Sequence, residues 1–144
     1  MKVEIREGFP DVGVIINCPQ ATAEVRKMVS ILQGLDEKLS GMKDGYTHMI
    51  DRQDIFYFEA VDRRYFIYTE KDAYETHLRL YEIEDSLSDA GFFRSSKSQI
   101  INISKIASLC PDFDGRVEVV MGNGEKLIVS RQYAKQLKER LGLK

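Results

Sequence analysis

Short runs of aromatic and β-branched residues, separated by polar turns, dominate the chain from residue 46 onward. Residues 54–60 read DIFYFEA, residues 65–69 read YFIYT, and the polar residues 62–64 separate them. Such runs are typical of strands, and a short polar segment between two of them is typical of an antiparallel hairpin. This spacing predicts a mainly β fold, α+β overall, built from short antiparallel strands.

Further elements follow from the same kind of pattern. Additional strands are predicted over residues 46–51, 73–76, 106–110, 117–121 and 126–129. Leu80, Ile83 and Leu87 share one helical face, which predicts a helix that ends near Ala90 and before Gly91. A last helix is predicted from residue 131 to about residue 141, with Ser130 as its cap.

The first 36 residues carry a different pattern, which predicts a small β-β-α extension. Val3 and Ile5 alternate with charged residues, residues 12–16 alternate in the same way, and Gly8 lies in the turn between them. A helix follows Thr22, with an apolar face of Val25, Met28, Val29 and Leu32. That face could pack within the chain, dimerise it or bind a partner. Residues 37–45 are interpreted as a connector.

Composition narrows the class of protein. No window is long and apolar enough to span a membrane, and the charged N-terminus does not resemble a signal peptide, so a cytoplasmic protein is expected. Cys18 and Cys110 are interpreted as reduced, small buried hydrophobes. No ligand pairs occur at the spacing of a metal site, no phosphate-binding glycine loop is present, and no serine lies in a catalytic pattern. We therefore expect no enzyme, metal, cofactor or small-molecule substrate.

Charge is distributed unevenly along the chain. The net charge is −2, yet residues 92–144 contain ten Lys or Arg against five Asp or Glu, whereas residues 1–91 contain eleven against eighteen. A basic C-terminal part beside an acidic N-terminal part indicates an anionic partner for the C-terminal part. Ordinary solvated surface remains the alternative.

The segment 91–106, GFFRSSKSQIINISKI, combines apolar pairs with a basic, polar centre. Apolar pairs flank Arg94, Lys97 and three serines, and the segment contains no acidic residue. Cationic groups and small hydroxyl donors suit phosphate oxygens. A plain polar surface loop between a helix and a strand explains the segment equally well. Asn102 is assigned a structural role, capping a single helical turn over residues 103–105.

The order of motifs decides between these alternatives. The segment GFFRSSKSQIINISKI, the strand DIFYFE upstream of it, and the sequence GEKLIVSRQY downstream of it resemble the LytTR family, the DNA-binding domains of bacterial regulators. The resemblance covers roughly residues 37–144 and leaves residues 1–36 as a separate extension. One position departs from the family pattern, because many members have His directly before Lys97 and this chain has Ser96.

The resemblance implies an elongated stack of short antiparallel sheets that reads successive major grooves of double-stranded DNA through its loops. The DNA-binding residues that it implies are Arg63, Arg64, Arg94, Lys97 and Arg131. Since binding sites for such regulators are usually paired, a homodimer is expected. The function expected is therefore that of a sequence-specific transcription regulator.

Residues 1–36 are too few for a receiver domain and lack its acidic pocket, so phosphorylation through a receiver in these residues is not expected. The extension is expected to pack on the domain, dimerise it or bind a partner such as a membrane protein. A protein-interaction module derived from a DNA-binding domain, without DNA binding, is the alternative function.

Overall fold

The structure is a computed structural model that describes residues 1–34, 37–88 and 91–143. These residues contain three α-helices, α1 (Ala23–Gly34), α2 (Leu80–Leu87) and α3 (Arg131–Arg140). Their ten strands are β1 (Lys38–Lys43), β2 (Tyr46–Asp51), β3 (Tyr57–Val61), β4 (Arg64–Tyr68), β5 (Ala73–Thr76), β6 (Phe92–Ser96), β7 (Gln99–Asn102), β8 (Ile106–Pro111), β9 (Val117–Met121) and β10 (Lys126–Val129).

Two antiparallel sheets make up most of the domain. The larger has seven strands in the order β2-β1-β5-β4-β3-β7-β6, and the smaller has three in the order β10-β9-β8. In the larger sheet, β3 is paired on one side with β4 and on the other with β7, where Glu59 lies opposite Gln99. The predicted mainly β fold of short antiparallel sheets with a few short helices is therefore confirmed.

Two apolar cores lie on opposite faces of the larger sheet. One joins it to the smaller sheet and α3, and includes Tyr57, Phe93 and Ile101. The other lies under α2 and includes Phe58, Phe92 and Ile100. Neighbouring residues in a strand point to opposite faces, so each apolar pair supplies one side chain to each core. The strands β3 and β7, and the edge strand β6, are consequently covered on both faces.

Hydrogen bonds of polar side chains also connect parts of the domain that are distant in sequence. Asn102, which is 4% exposed, donates to the Ile55 carbonyl at 2.8 Å and accepts from the Ser104 amide at 3.1 Å. Its predicted role in capping the turn over Ile103–Lys105 is confirmed. The Tyr57 hydroxyl, on the larger sheet, donates to Glu125 beside the smaller sheet at 2.5 Å. Burial, followed by this hydrogen bond, raises the pKa of Tyr57.

The two N-terminal strands were wrongly predicted. Residues 1–22 contain no strand, and the apolar residues of both runs, such as Ile5 and Val12, are exposed except for the half-buried Ile16. An isolated two-stranded hairpin is marginal in water unless another layer covers its apolar face, and neither core reaches these residues. The helix was predicted correctly, and the Thr22 hydroxyl accepts from the Val25 amide at 3.4 Å.

Other corrections concern the domain itself. The expected connector over residues 37–45 contains the strand β1, and the expected loop after Gly91 is the hairpin of β6 and β7. Ser130 occupies the cap position of α3, but its side chain makes no capping hydrogen bond. Both cysteines are exposed rather than buried. The predicted end of α2 near Ala90 lies outside the described residues.

Asn102→Ala should lower the free energy of unfolding by about 2–3 kcal/mol, because it leaves a buried carbonyl and a turn amide without partners. Urea unfolding followed by circular dichroism measures the change. Asn123→Ala is the matched control, since the Asn123 side chain makes a similar pair of hydrogen bonds at the surface, to Glu70 and from Glu125. Equal losses in the two variants would contradict the role assigned to Asn102.

Candidate nucleic-acid interface

Two turns of the domain and the start of α3 meet at one end of the larger sheet. Because β3 and β7 are antiparallel, the β3–β4 turn and the β6–β7 turn lie side by side, and the Ala60 amide donates to the Ser98 carbonyl at 2.8 Å. The start of α3 joins them, because the Ser130 amide donates to the Ser95 carbonyl at 2.9 Å. Segments far apart in sequence therefore present their turn residues together.

An open groove of about 680 Å³ lies between the β6–β7 turn, the start of α3 and a further turn, between β8 and β9. Its lining residues are Ser96, Lys97, Ser98, Asp114, Arg116, Ser130, Arg131 and Gln132. Three cations, one carboxylate, an amide and three hydroxyls give this lining a positive charge and many hydrogen-bond donors. Such a surface suits phosphate oxygens and the polar edges of bases.

The first residue of α3, Arg131, is exposed and packs against the turn between β8 and β9. Its guanidinium lies 3.7 Å from Asp114, and the two side chains are 74% and 59% exposed. Gly115 permits this approach, because a Cβ at that position would lie 2.9 Å from the Arg131 Cγ. An ion pair this exposed contributes at most about 1 kcal/mol, so a stronger anion could displace Asp114 from Arg131.

Arg94 supports the turn that carries Lys97. Its Nε donates to the Ser96 carbonyl at 2.7 Å, another nitrogen donates to the Lys97 carbonyl, and a third lies 2.9 Å from Glu84 of α2. The Arg94 side chain is 20% exposed, whereas Lys97 is exposed. The structure thus places Arg94 beneath the turn and Lys97 on its surface.

The serines of this turn have structural contacts. Ser95 is fully buried beside an irregularity in the β6–β7 pairing, and its hydroxyl donates to the Gln99 carbonyl at 3.1 Å. The Ser96 hydroxyl accepts from the Ser98 amide at 3.2 Å, which closes the turn. Ser96, the departure from the family pattern, therefore stabilises the turn beside Lys97.

In the β3–β4 turn, the side chains of the two predicted arginines, Arg63 and Arg64, have different surroundings. Asp62 and Arg63 both adopt left-handed backbone conformations, with φ of 51° and 64°. Such conformations occur in tight hairpins and cost roughly 1–2 kcal/mol for a residue with a side chain. Arg63 is exposed at the tip. This strained turn holds it beside the β6–β7 turn, although it does not line the groove.

Arg64 faces across the sheet instead. Its guanidinium makes two hydrogen bonds with Glu75, at 3.0 and 2.7 Å, and lies 5.3 Å from the Phe66 ring. The hydrogen bonds from Arg64 lower the pKa of the Glu75 carboxyl. The charge of Arg64 is therefore already paired with that of Glu75.

The structure brings Lys97 and Arg131 into one groove, with Arg94 behind it and Arg63 beside it. Arg116 and Gln132 line the same groove and were missed by the sequence analysis. Gln132 directly follows Arg131 at the start of a helix, so its position was available as a signal. Arg116 gave no local signal, because only the pairing of β8 with β9 brings it to this end of the domain.

Comparison with known proteins agrees with this architecture. Residues 45–142 match the family model described as the LytTr DNA-binding domain. The chain belongs to this family. A solved LytTr DNA-binding domain from Bacillus cereus is similar in structure, with a TM-score of 0.71 and 25% sequence identity, covering 75% of this chain and 99% of that one. The family resemblance is therefore confirmed, and the LytTr fold is that of a DNA-binding regulator domain rather than of an enzyme.

Two kinds of relatives match this LytTr chain. An uncharacterized HTH-type transcriptional regulator of Staphylococcus aureus is 29% identical over 130 residues, which are 89% of this chain and 88% of that protein. The sensory transduction proteins LytT of Enterococcus faecalis and Bacillus anthracis are 32% and 37% identical, but the match covers only 40% and 38% of their lengths. The chain is a DNA-binding protein of the transcription-regulator class.

The described part of the chain contains no helix long and apolar enough to cross a membrane.

The different surroundings of Arg94 and Lys97 predict different effects on stability. Arg94→Ala should lower the free energy of unfolding by about 1–3 kcal/mol, since two turn carbonyls lose a charged donor. Lys97→Ala, three residues away and exposed, should change it by less than about 0.5 kcal/mol. Thermal unfolding by calorimetry measures both. A loss at Lys97 as large as that at Arg94 would mean that Lys97 also supports the turn.

Proposed function

We propose that this LytTr domain is a sequence-specific regulator that reads double-stranded DNA through the turns at one end of its larger sheet. The observation that carries the proposal is the groove in which Lys97, Arg116 and Arg131 meet with a single carboxylate, Asp114. The match to the LytTr DNA-binding domain supports the same conclusion. Such a regulator acts on the chromosome, so we place it in the cytoplasm.

The cations of this surface have distinct roles in the proposal. Arg131, whose exposed guanidinium is weakly paired with Asp114, is suited to pair with a guanine edge in the major groove. Lys97, a point charge on a flexible stem, is suited to a phosphate. Arg63 extends the surface beyond the groove and could enter the next major groove.

Two of the arginines predicted to bind DNA act indirectly in this proposal. Arg94 positions Lys97 through the Ser96 and Lys97 carbonyls. Arg64 holds the β3–β4 turn through Glu75 and thereby orients Arg63. Loss of the Arg94 contacts would loosen the β6–β7 turn, and loss of the Arg64 contacts would leave the Glu75 carboxylate unpaired. Both arginines therefore influence DNA binding without contacting the DNA.

The proposal predicts that wild-type protein enriches a defined motif from random-sequence duplexes. On the enriched duplex, Lys97→Ala and Arg131→Ala should each weaken binding roughly tenfold, which corresponds to the loss of one contact. Loss of a phosphate contact at Lys97 should also reduce the salt slope by about one, whereas Arg131→Ala should relax the preference at one base pair. Electrophoretic mobility shift at several salt concentrations measures these effects.

Lys71→Ala is the matched control for these variants. Lys71 is an exposed cation in the β4–β5 turn, at the end of β4 opposite to the β3–β4 turn. Its removal should change the Kd for DNA less than twofold. If no motif is enriched, the chain functions as a protein-interaction module instead. If all three variants weaken binding equally, the DNA contacts lie elsewhere on the chain.

We further propose that residues 1–36 mediate homodimerisation. The apolar face of α1, with Val25, Met28 and Leu32, belongs to neither core. The end of α1 is held to the domain, since Gly34 packs against Arg52 and Arg52 lies 2.7 Å from Glu37. Arg52 follows β2, whereas the groove lies beside β6 at the opposite edge of the sheet. A dimer through α1 would thus leave both grooves available for paired half-sites.

Relatives support a function for this extension. The match to the Staphylococcus aureus regulator covers 89% of the chain, so it extends beyond residues 45–142 into the N-terminal part. A membrane protein that binds α1 and thereby controls dimerisation is the alternative partner. In both cases the boundary between extension and domain is proposed near residue 36.

Sedimentation velocity should show a species of twice the 16.6 kDa chain mass. Met28→Glu should convert it to monomer, because a carboxylate in an apolar helix interface is strongly unfavourable. Lys27→Glu, on the opposite, exposed side of α1, changes the charge more and should leave the dimer intact. A monomeric wild-type protein, or equal behaviour of the two variants, would rule out the α1 interface.

A further inference from the structure

The turn between β8 and β9 holds an aromatic side chain in solvent beside the groove. Phe113 is 82% exposed and belongs to neither core. Single exposed apolar residues are common at protein surfaces, so exposure alone means little. The position of Phe113 is informative, because Asp114 and Arg116 of the same turn line the groove.

Backbone hydrogen bonds and left-handed residues define the conformation of this turn beside Arg131. The Asp112 amide donates to the Arg116 carbonyl at 2.9 Å, and the Arg116 amide donates to the Phe113 carbonyl at 3.4 Å. Asp114 and Gly115 adopt left-handed conformations, with φ of 62° and 78°. Such backbone conformations persist where the surrounding structure enforces them.

Two contacts couple the turn to the start of α3. Gly115 lies so close to Arg131 that a Cβ there would be 2.9 Å from its Cγ, and Asp114 lies 3.7 Å from the Arg131 guanidinium. The start of α3 and the turn that carries Phe113 therefore approach a major groove together. Because the backbone of the turn is already ordered, binding restricts only the side-chain torsions of Phe113.

We propose that Phe113 contacts the C5-methyl group of a thymine next to the base pair read by Arg131. The proposal rests on the DNA-binding function proposed above. The thymine methyl is the apolar group that base pairs present in the major groove, and phenylalanine is one of the side chains that contact it. Arg131 and Phe113 together would read a polar edge and a methyl group at neighbouring positions.

Removal of single methyl groups from the DNA tests this contact. In the duplex enriched by the wild-type protein, each thymine is replaced in turn by deoxyuridine, which lacks only the C5-methyl. At one position, the wild-type Kd should rise about fourfold, the value for roughly one buried methyl group. Phe113→Ala should bind the thymine duplex about fourfold or more weakly, and the same deoxyuridine replacement should then have no further effect.

The variants keep the fold, because Phe113 is exposed, and an unchanged melting temperature checks this. Phe9→Ala is the matched control, since Phe9 is 71% exposed on the N-terminal arm, and it should respond to deoxyuridine as the wild type does. If Phe113→Ala keeps the fourfold response, or if no replacement affects the wild type, the methyl contact is overturned although DNA binding stands. If the wild type enriches no duplex, both proposals fail.

Discussion

Burial of the strands β3, β6 and β7 on both faces is the constraint on which the rest of this structure depends. The adjacent pairs Tyr57 and Phe58, Phe92 and Phe93, and Ile100 and Ile101 each divide between the two cores. A strand that is apolar on both faces has no alternation to define its register. Polar contacts supply that information here: Asn102 fixes one end of β7, and Ser95 fixes the other through Gln99.

The same constraint determines where the exposed cations lie. Charged side chains on the faces of these strands lose contact with water at a cost, so the exposed cations accumulate where the strands turn and where α3 begins. The β6–β7 turn, the β8–β9 turn and the start of α3 then form one positive groove. The DNA-binding surface proposed here is therefore made from turns, in keeping with a sheet that is covered on both sides.

Strands with one polar face could be predicted from the sequence. The strands β4, β9 and β10 show alternation or clear turn signals, and they lie where predicted. The hairpin of β6 and β7 was expected as a loop, because its apolar pairs show no alternation and its polar centre resembles a surface segment. The prediction of N-terminal strands failed for the opposite reason: the apolar residues alternate with polar ones, but no other layer covers the apolar face.

The candidate site was predictable only in part. The family resemblance pointed to Lys97 and Arg131, and the structure brings these two together. It also pointed to Arg94 and Arg64, whose contacts with the Ser96 carbonyl and Glu75 depend on tertiary structure that no local pattern shows. Arg116 and Phe113 depend on the pairing of β8 with β9, so their nearness to Arg131 could not be derived from the sequence.

Titration of the isotope-labelled protein with its enriched duplex, followed by amide chemical shifts, tests the central claim most directly. We expect the largest shifts in four segments, residues 62–64, 96–98, 113–116 and 130–132, with α1 and β2 little changed. Shifts concentrated in α1 or along β2, with these four turn segments unaffected, would contradict a DNA-binding surface at this end of the sheet.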